Sequence, residues 1–178
     1  MAEVERPDGL PGPRQARGIE DFDALYAAGT PAWDIGRPQS AFRELADRGR
    51  LVGRVLDVGC GTGALTVQFM TWDALRLADL GQSFDTVLDC GLFHVLEDPD
   101  RPTFVEGLRT CMPADARYYM LCFSDLEPGD WGPRRIREDE IRLTFVDGWL
   151  VEAIEPSRIE ITIDPGSARA WLASIARI

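Results

Sequence analysis

The sequence predicts an α/β domain with a mostly parallel sheet and helices on both faces. Three observations carry that prediction. Val55-Leu56-Asp57-Val58 is a short apolar run that feeds into a turn with glycines at every second position, Gly59, Gly61 and Gly63. Phe84 to Cys90 and Arg117 to Phe123 are two more runs of the kind a strand buried on both faces needs. Between those two lies a helical pattern, Arg101 to Cys111, with Phe104, Leu108 and Cys111 on one face. Strand, helix, strand in that order makes a βαβ unit, and ligands of such sheets bind at the carboxyl ends of the strands. The glycine turn after Val58 and the polar pair Asp89-Cys90 both lie at that edge, so one ligand can touch both.

The remaining elements follow in order. Met1 to Gly18 is rich in proline, glycine and charge and reads as a disordered arm; residues 19–178 read as a single domain. Asp21 to Ala28 is a predicted helix, with Phe22, Leu25 and Tyr26 on one side. Thr30 to Gln39 is a loop holding Trp33. Ser40 is placed to cap a helix over Ala41–Arg48, which Gly49 ends. Downstream, Ser124 to Pro133 is a long loop, Glu138 to Phe145 a helix, and Leu150 to Ile163 a strand bent or broken near Pro156. Ala168 to Ile178 alternates apolar and small residues and reads as a strand rather than a helix.

Composition excludes several function classes. The net charge is −11, from 19 basic and 30 acidic residues, so no basic patch is on offer to a nucleic-acid backbone. No apolar run approaches the ~20 residues of a membrane span, and no charged-then-apolar secretory signal opens the chain. The four cysteines lack C-x-x-C spacing and there is a single histidine, His94. That argues against a metal site and for free thiols in a reducing cytoplasm.

The string Val55-Leu56-Asp57-Val58-Gly59-Cys60-Gly61-Thr62-Gly63 resembles motif I of the S-adenosylmethionine (SAM) dependent methyltransferases with a Rossmann-like fold. The resemblance widens with Pro31-Ala32-Trp33-Asp34-Ile35-Gly36-Arg37-Pro38, with Phe84 to Leu96, and with Tyr118 to Asp125 followed by Pro128-Gly129-Asp130-Trp131-Gly132-Pro133. Together these stretches are similar to the small-molecule methyltransferases of the thiopurine S-methyltransferase and tellurite-resistance group. The resemblance implies S-adenosyl-L-methionine as cofactor and a small-molecule methyl acceptor. It implies that Gly59, Cys60, Gly61 and Gly63 line the methionine part of the cofactor and that Asp57 anchors its amino end. Trp33 then either closes over the cofactor or packs on the core. Asp73 and Ala74 fall beside the adenine, and Asp89 and Cys90 under the reactive methyl. Phe93 and His94 face the acceptor, with His94 the candidate base for a thiol, phenol or ring nitrogen. A sulfonium methyl is already activated, so positioning does most of the catalytic work, and no separate nucleophile is needed.

The sequence departs from that group in one place. The family has a helix, a second strand ending in a ribose-binding acidic residue, and a second helix after the glycine turn. Here about forty residues of that cofactor half are absent, judged from the usual size of a βαβ unit. The seven residues Gly59 to Leu65 are too few for a parallel crossover. Leu65 to Leu80 then reads better as one helix than as a strand over Val67–Met70, and as a helix it turns Asp73 from the adenine. The loss leaves the Val55 strand as an apolar edge open to self-association. Two functions follow: a methyltransferase impaired by the loss of its second strand, or a non-catalytic remnant that binds a partner. An oxidoreductase is set aside, because G-x-G-x-x-G and its acidic partner are missing.

Overall fold

The structure, a computed structural model, describes residues 19–63 and 68–178, and the arm expected over residues 1–18 lies outside the described residues. Its elements in chain order are α1 (Ile19–Ala28), α2 (Ser40–Asp47), β1 (Val55–Val58), β2 (Thr86–Cys90), α3 (Arg101–Cys111), β3 (Arg117–Phe123), α4 (Glu138–Thr144), β4 (Trp149–Glu160) and β5 (Ser167–Arg177). The strands form one sheet in the order β1-β2-β3-β5-β4. β1, β2 and β3 are parallel, with Val55 opposite Thr86 and Thr86 opposite Arg117. β4 and β5 form an antiparallel hairpin that joins through β5 to β3. The predicted final strand is therefore present. The irregularity in β4 is a bulge between Val151 and Ala153, not a break at Pro156.

Alternation along the strands builds a core on each face. Val87, Tyr118 and Met120 point to the side covered by α3 and α4, where they meet Phe104, Leu108 and Ile141. Leu88, Tyr119, Leu121 and Phe123 point to the other side and meet Phe42 and Leu45 of α2, with Ile159 and Ile161. Phe104 and Leu108 are wholly buried, and truncating either to alanine removes about 2–5 kcal/mol by lost burial and cavity formation. This is the α/β sheet with helices on both faces that the sequence predicts.

Two local expectations are corrected. Leu65–Leu80 is not one continuous helix, and the described residues 68–70 form no strand. Residues 68–73 have no regular structure, and 3₁₀ turns run from Ala74 to Leu80 with a kink at Arg76; Leu65 and Val67 lie outside the described residues. A continuous helix must bury Phe69 and Trp72 on its inner stripe, yet 59% of Phe69 and 43% of Trp72 stay exposed. Only the last turns find cover: Leu77 is buried against α3, where Gly107 lets it in, since a Cβ at Gly107 would lie 2.9 Å from that of Leu77. Ser40 is likewise not the cap of α2. Gln39 holds that position without a side-chain cap bond, and the N–H of Ser40 donates to Glu160 Oε2 at 2.9 Å.

That Glu160 contact stitches the amino-terminal segment to the sheet. Glu160 also pairs with Arg37 at 2.7 Å. The amide of Gln39 donates to the Glu160 carbonyl and accepts from the Glu160 N–H, at 3.0 and 2.8 Å. Thr162 N–H donates to the Ala32 carbonyl at 2.8 Å. These bonds fix the loop that carries Trp33 over the carboxyl ends of the strands.

At the far side of β2, β1 has no described strand beside it, and Val55 and Val52 stand exposed there. Among the described residues no helix is long and apolar enough to cross a membrane.

The hydrogen bond and ion pair to Arg37 hold the Glu160 carboxyl down at about 2. A carboxyl lower in the folded than in the unfolded chain stabilises above its unfolded value, and that gain is lost as pH falls toward the folded one. Glu160→Gln is therefore expected to cost about 1–2 kcal/mol at neutral pH. Melting curves from pH 6 to pH 3 should fall less steeply for the variant than for the native chain.

Candidate functional site

The site is built at the carboxyl end of β1. Val58 pairs with Asp89, and the chain leaves the sheet through Gly59, Gly61 and Gly63, all with positive φ. A side chain at Gly61 would also run into the Tyr26 hydroxyl, 2.7 Å from its Cβ, and one at Gly63 into the ring of Phe69, 2.0 Å away. The turn is thus flanked by Tyr26 and Phe69, and only glycine allows both approaches.

In front of the turn lies an open cleft of about 2350 Å³, lined by Trp33, Asp57, Gly59, Cys60, Gly61, Ala74, Cys90 and His94 among others. Its apolar walls come from Phe22, Leu25, Phe42, Leu92, Ile159 and Ile161. Trp33 stands edge-on to Phe22 and Tyr26, with centroids 6.1 and 6.3 Å apart, and its indole N–H donates to the Tyr26 hydroxyl at 3.2 Å. Trp33 therefore both packs on α1 and faces the cleft.

Asp57 is the group with chemistry to spare. Its carboxylate has no hydrogen-bond donor among the described residues, and Oδ1 is buried. Burial pushes its carboxyl up to about 6. A buried, unpaired carboxylate is costly unless a cation or a strong donor meets it. An ammonium group fits that need. The residues present therefore suit the amino-acid end of the expected cofactor: an orphan carboxylate beside a turn that only glycines can make.

The other sequence-predicted residues divide. Cys90 lines the cleft, and burial pushes its thiol up, away from thiolate formation. Asp89 does not line it. Its side chain points to the opposite face, wholly buried, where it accepts from Leu92 N–H at 2.8 Å, Phe93 N–H at 3.1 Å and Tyr118 O–H at 2.6 Å. Burial pushes Asp89 up to about 7 against the pull of those three donors. It braces the 91–93 turn from behind. Asp73 is also misplaced for an adenine: its carboxylate accepts from Leu75 N–H at 2.9 Å and starts the 3₁₀ turns, so Ala74 reaches the cleft without it. Phe93 is buried in the core against Phe145 and under the Arg101 guanidinium, not in the acceptor pocket.

His94 lines the cleft, but its Nδ1 accepts the Phe123 N–H at 3.0 Å. The ring proton then sits on Nε2. Burial, with the Arg135 and Arg101 guanidiniums, pushes the imidazole down to about 3. That is a poor arrangement for the base expected from the sequence.

Sequence reasoning passed over Tyr26, Asp34 and Thr62. Thr62 O–H donates to Asp34 Oδ2 at 2.7 Å and Gly36 N–H to Asp34 Oδ1 at 3.0 Å, which ties the Trp33 loop to the glycine turn. The one signal for this is Asp34 two residues before a glycine, the pattern of an Asx turn.

No family model matches the chain. In sequence it is similar to a 2-heptyl-1-hydroxyquinolin-4(1H)-one methyltransferase of Mycobacteroides abscessus, 25% identical over an alignment of 168 positions that covers 74% of this chain and 74% of that one. In structure it is similar to a protein solved in work on the conversion of a disulfide bond into a thioacetal group during echinomycin biosynthesis. The TM-score is 0.79 and the identity 27%, with 90% of this chain and 93% of that one covered. A SAM-dependent methyltransferase from Anabaena variabilis shares the fold at TM-score 0.72 and 12% identity, with 98% of this chain and 100% of that one covered. In fold the chain is similar to SAM-dependent methyltransferases, and in sequence to a small-molecule methyltransferase.

If Asp89 is a brace and not a ligand, Tyr118→Phe should lower unfolding free energy by about 1.5–3 kcal/mol, the effect of stripping a donor from a buried charged acceptor. Denaturant unfolding reads that loss. Affinity for S-adenosylhomocysteine should stay within about twofold, under 0.5 kcal/mol.

Proposed function

We propose that this chain moves a methyl group from SAM to an oxygen, sulfur or nitrogen of a small aromatic acceptor, and that it binds the cofactor weakly. The observation that carries the reading is Asp57, whose buried carboxylate meets no donor at the mouth of a glycine turn. Bound SAM supplies an electrophilic methyl on a sulfonium. The chain's own part is to receive the ammonium on Asp57, to let the backbone approach at Gly59, Cys60, Gly61 and Gly63, and to cover the site with Trp33. A hydroxylated quinolone-like ring is the favoured acceptor class. The sequence relative's substrate is such a ring, and the cleft is walled by aromatic and branched side chains. Four free thiols suit a cytoplasmic setting.

Weak binding follows from what is missing. Among the described residues Asp57 is the one candidate site carboxylate that faces the cleft unspent; Asp73 and Asp89 are committed elsewhere. We attribute this to an internal deletion after the glycine turn, which also leaves β1 as an edge. Lost ribose and adenine hydrogen bonds of about 1.5–3 kcal/mol each put the affinity for SAM in the micromolar range or weaker. The second reading, a non-catalytic remnant, rests on that same bare edge. We further propose that β1 self-associates there. Light scattering at high protein concentration should show dimers or larger species; a clean monomer counts against it.

One experiment separates the two functions. S-adenosylhomocysteine at a hundredfold excess over its dissociation constant should raise the unfolding free energy by about 2.7 kcal/mol, and labelled SAM should methylate 2-heptyl-1-hydroxyquinolin-4(1H)-one. Stabilisation without product supports the remnant. Affinity should also fall about tenfold per pH unit below about 6, because binding a cation must then displace the Asp57 proton. Asp57→Asn should weaken binding by about tenfold or more and flatten that pH dependence. Trp33→Phe should weaken binding with little change in melting temperature.

A further inference from the structure

The bond between His94 and Phe123 has a consequence for the acceptor side of the cleft. The parallel ladder between β2 and β3 ends with Gly91 N–H donating to the Leu121 carbonyl at 3.0 Å. One rung further along β3, the Phe123 N–H has no strand to bond, because the chain turns away at Gly91 with φ of +83°. The His94 ring fills that rung, and its Nδ1 accepts the Phe123 N–H at 3.0 Å. A backbone N–H can only donate, so Nδ1 is unprotonated and Nε2 carries the hydrogen of the neutral ring. Nε2 has no hydrogen-bond partner among the described residues, and His94 lines the cleft beside Leu92 and Cys90. The ring is clamped in this pose. The Phe123 ring stands edge-on to it at 5.3 Å, and a Cβ on Gly91 would sit 3.1 Å from both Cε1 and Nε2.

We propose that His94 is a fixed, neutral hydrogen-bond donor that holds an oxygen of the methyl acceptor, a carbonyl or an oxyanion, through Nε2–H, and that it is not a base. The inference rests on the methyl-transfer reading for what occupies the cleft, but the proton placement stands on the fold alone. Neutrality is secured by the surroundings. The charged groups that act on the ring are Arg135, over the Phe123 ring, and Arg101 of α3. Arg101 is itself buried and ion-paired to Glu140 at 2.6 Å. Gly91 and Phe123, which touch the ring, bring no carboxylate that would favour an imidazolium. A donor of this kind selects acceptors with a lone pair at a set position and holds a developing or standing oxyanion in place. It asks the acceptor to arrive ionised or to lose its proton to solvent.

His94 is the chain's single histidine, so uniform ¹⁵N-histidine labelling gives one imidazole to observe. The expected spectrum is that of a neutral ring protonated on Nε2, unchanged from pH 5 to pH 9. With S-adenosylhomocysteine present, adding 2-heptyl-1-hydroxyquinolin-4(1H)-one should shift the Nε2 signal. His94→Gln keeps an acceptor for Phe123 and a donor for the cleft, and should hold the quinolone within about fivefold of the native affinity. His94→Leu should lose about tenfold or more. An imidazolium forming between pH 5 and pH 8, a proton on Nδ1, an Nε2 signal deaf to the quinolone, or equal losses in the two variants overturns the proposal. The methyl-transfer reading fails by a different result, the absence of S-adenosylhomocysteine binding.

Discussion

The parallel pairing of β1 with β2 is the constraint on which the site depends. Val55 to Val58 lie opposite Thr86 to Asp89, and that register decides which carboxylate faces which side. Because successive side chains alternate, Asp57 turns toward the cleft while Asp89, directly opposite Val58, turns into the core behind it. A slip of β1 by one residue would turn Asp57 into the core on the same side as Asp89. The core would then hold an unbraced carboxylate, and the glycine turn would lose its anchor. Two acidic residues at the ends of neighbouring strands so acquire opposite tasks from pairing alone.

The same pairing explains how the site is assembled from remote pieces. Asp89 fixes the 91–93 turn by receiving two backbone N–H groups and the Tyr118 hydroxyl, and that turn aims His94 at the last rung of β3. On the other side the Trp33 loop is held through Gln39, Ser40 and Ala32 by Glu160 and Thr162 at the end of the β4–β5 hairpin, and by Asp34 on Thr62. Apart from the two bonds of Asp89 to its own turn, these contacts join residues 28 or more positions apart. The walls of the cleft are thus tied to the sheet that carries them, and β1, which lines it, is the edge strand.

Much of this was legible in the chain. The β1–turn unit, the βαβ at residues 84–123 and the final strand follow from runs and periodicities that local packing does not overrule. Glycine spacing and Asp57 pointed at the site because backbone sterics and an acid next to a turn are local facts. What the chain hid depended on which donors each polar side chain meets in the fold, some near in sequence and some distant. Asp73 and Asp89 look like ligands until Leu75, Leu92, Phe93 and Tyr118 are found to occupy them. Ser40 looks like a cap until Glu160 arrives from 120 positions away. Residues 65–80 have the period of a helix, but without a neighbour beyond β1 there is little for Phe69 and Trp72 to pack on, and pattern alone does not form a helix.

The central claim is that Asp57 receives the amino group of the cofactor. A crystal structure of the chain grown with S-adenosylhomocysteine tests it most directly. The account predicts the ligand's ammonium within about 2.7–3.2 Å of an Asp57 oxygen, its chain lying along Gly59 to Gly61. A ligand bound elsewhere, or an Asp57 carboxylate still without a partner in the complex, would contradict it.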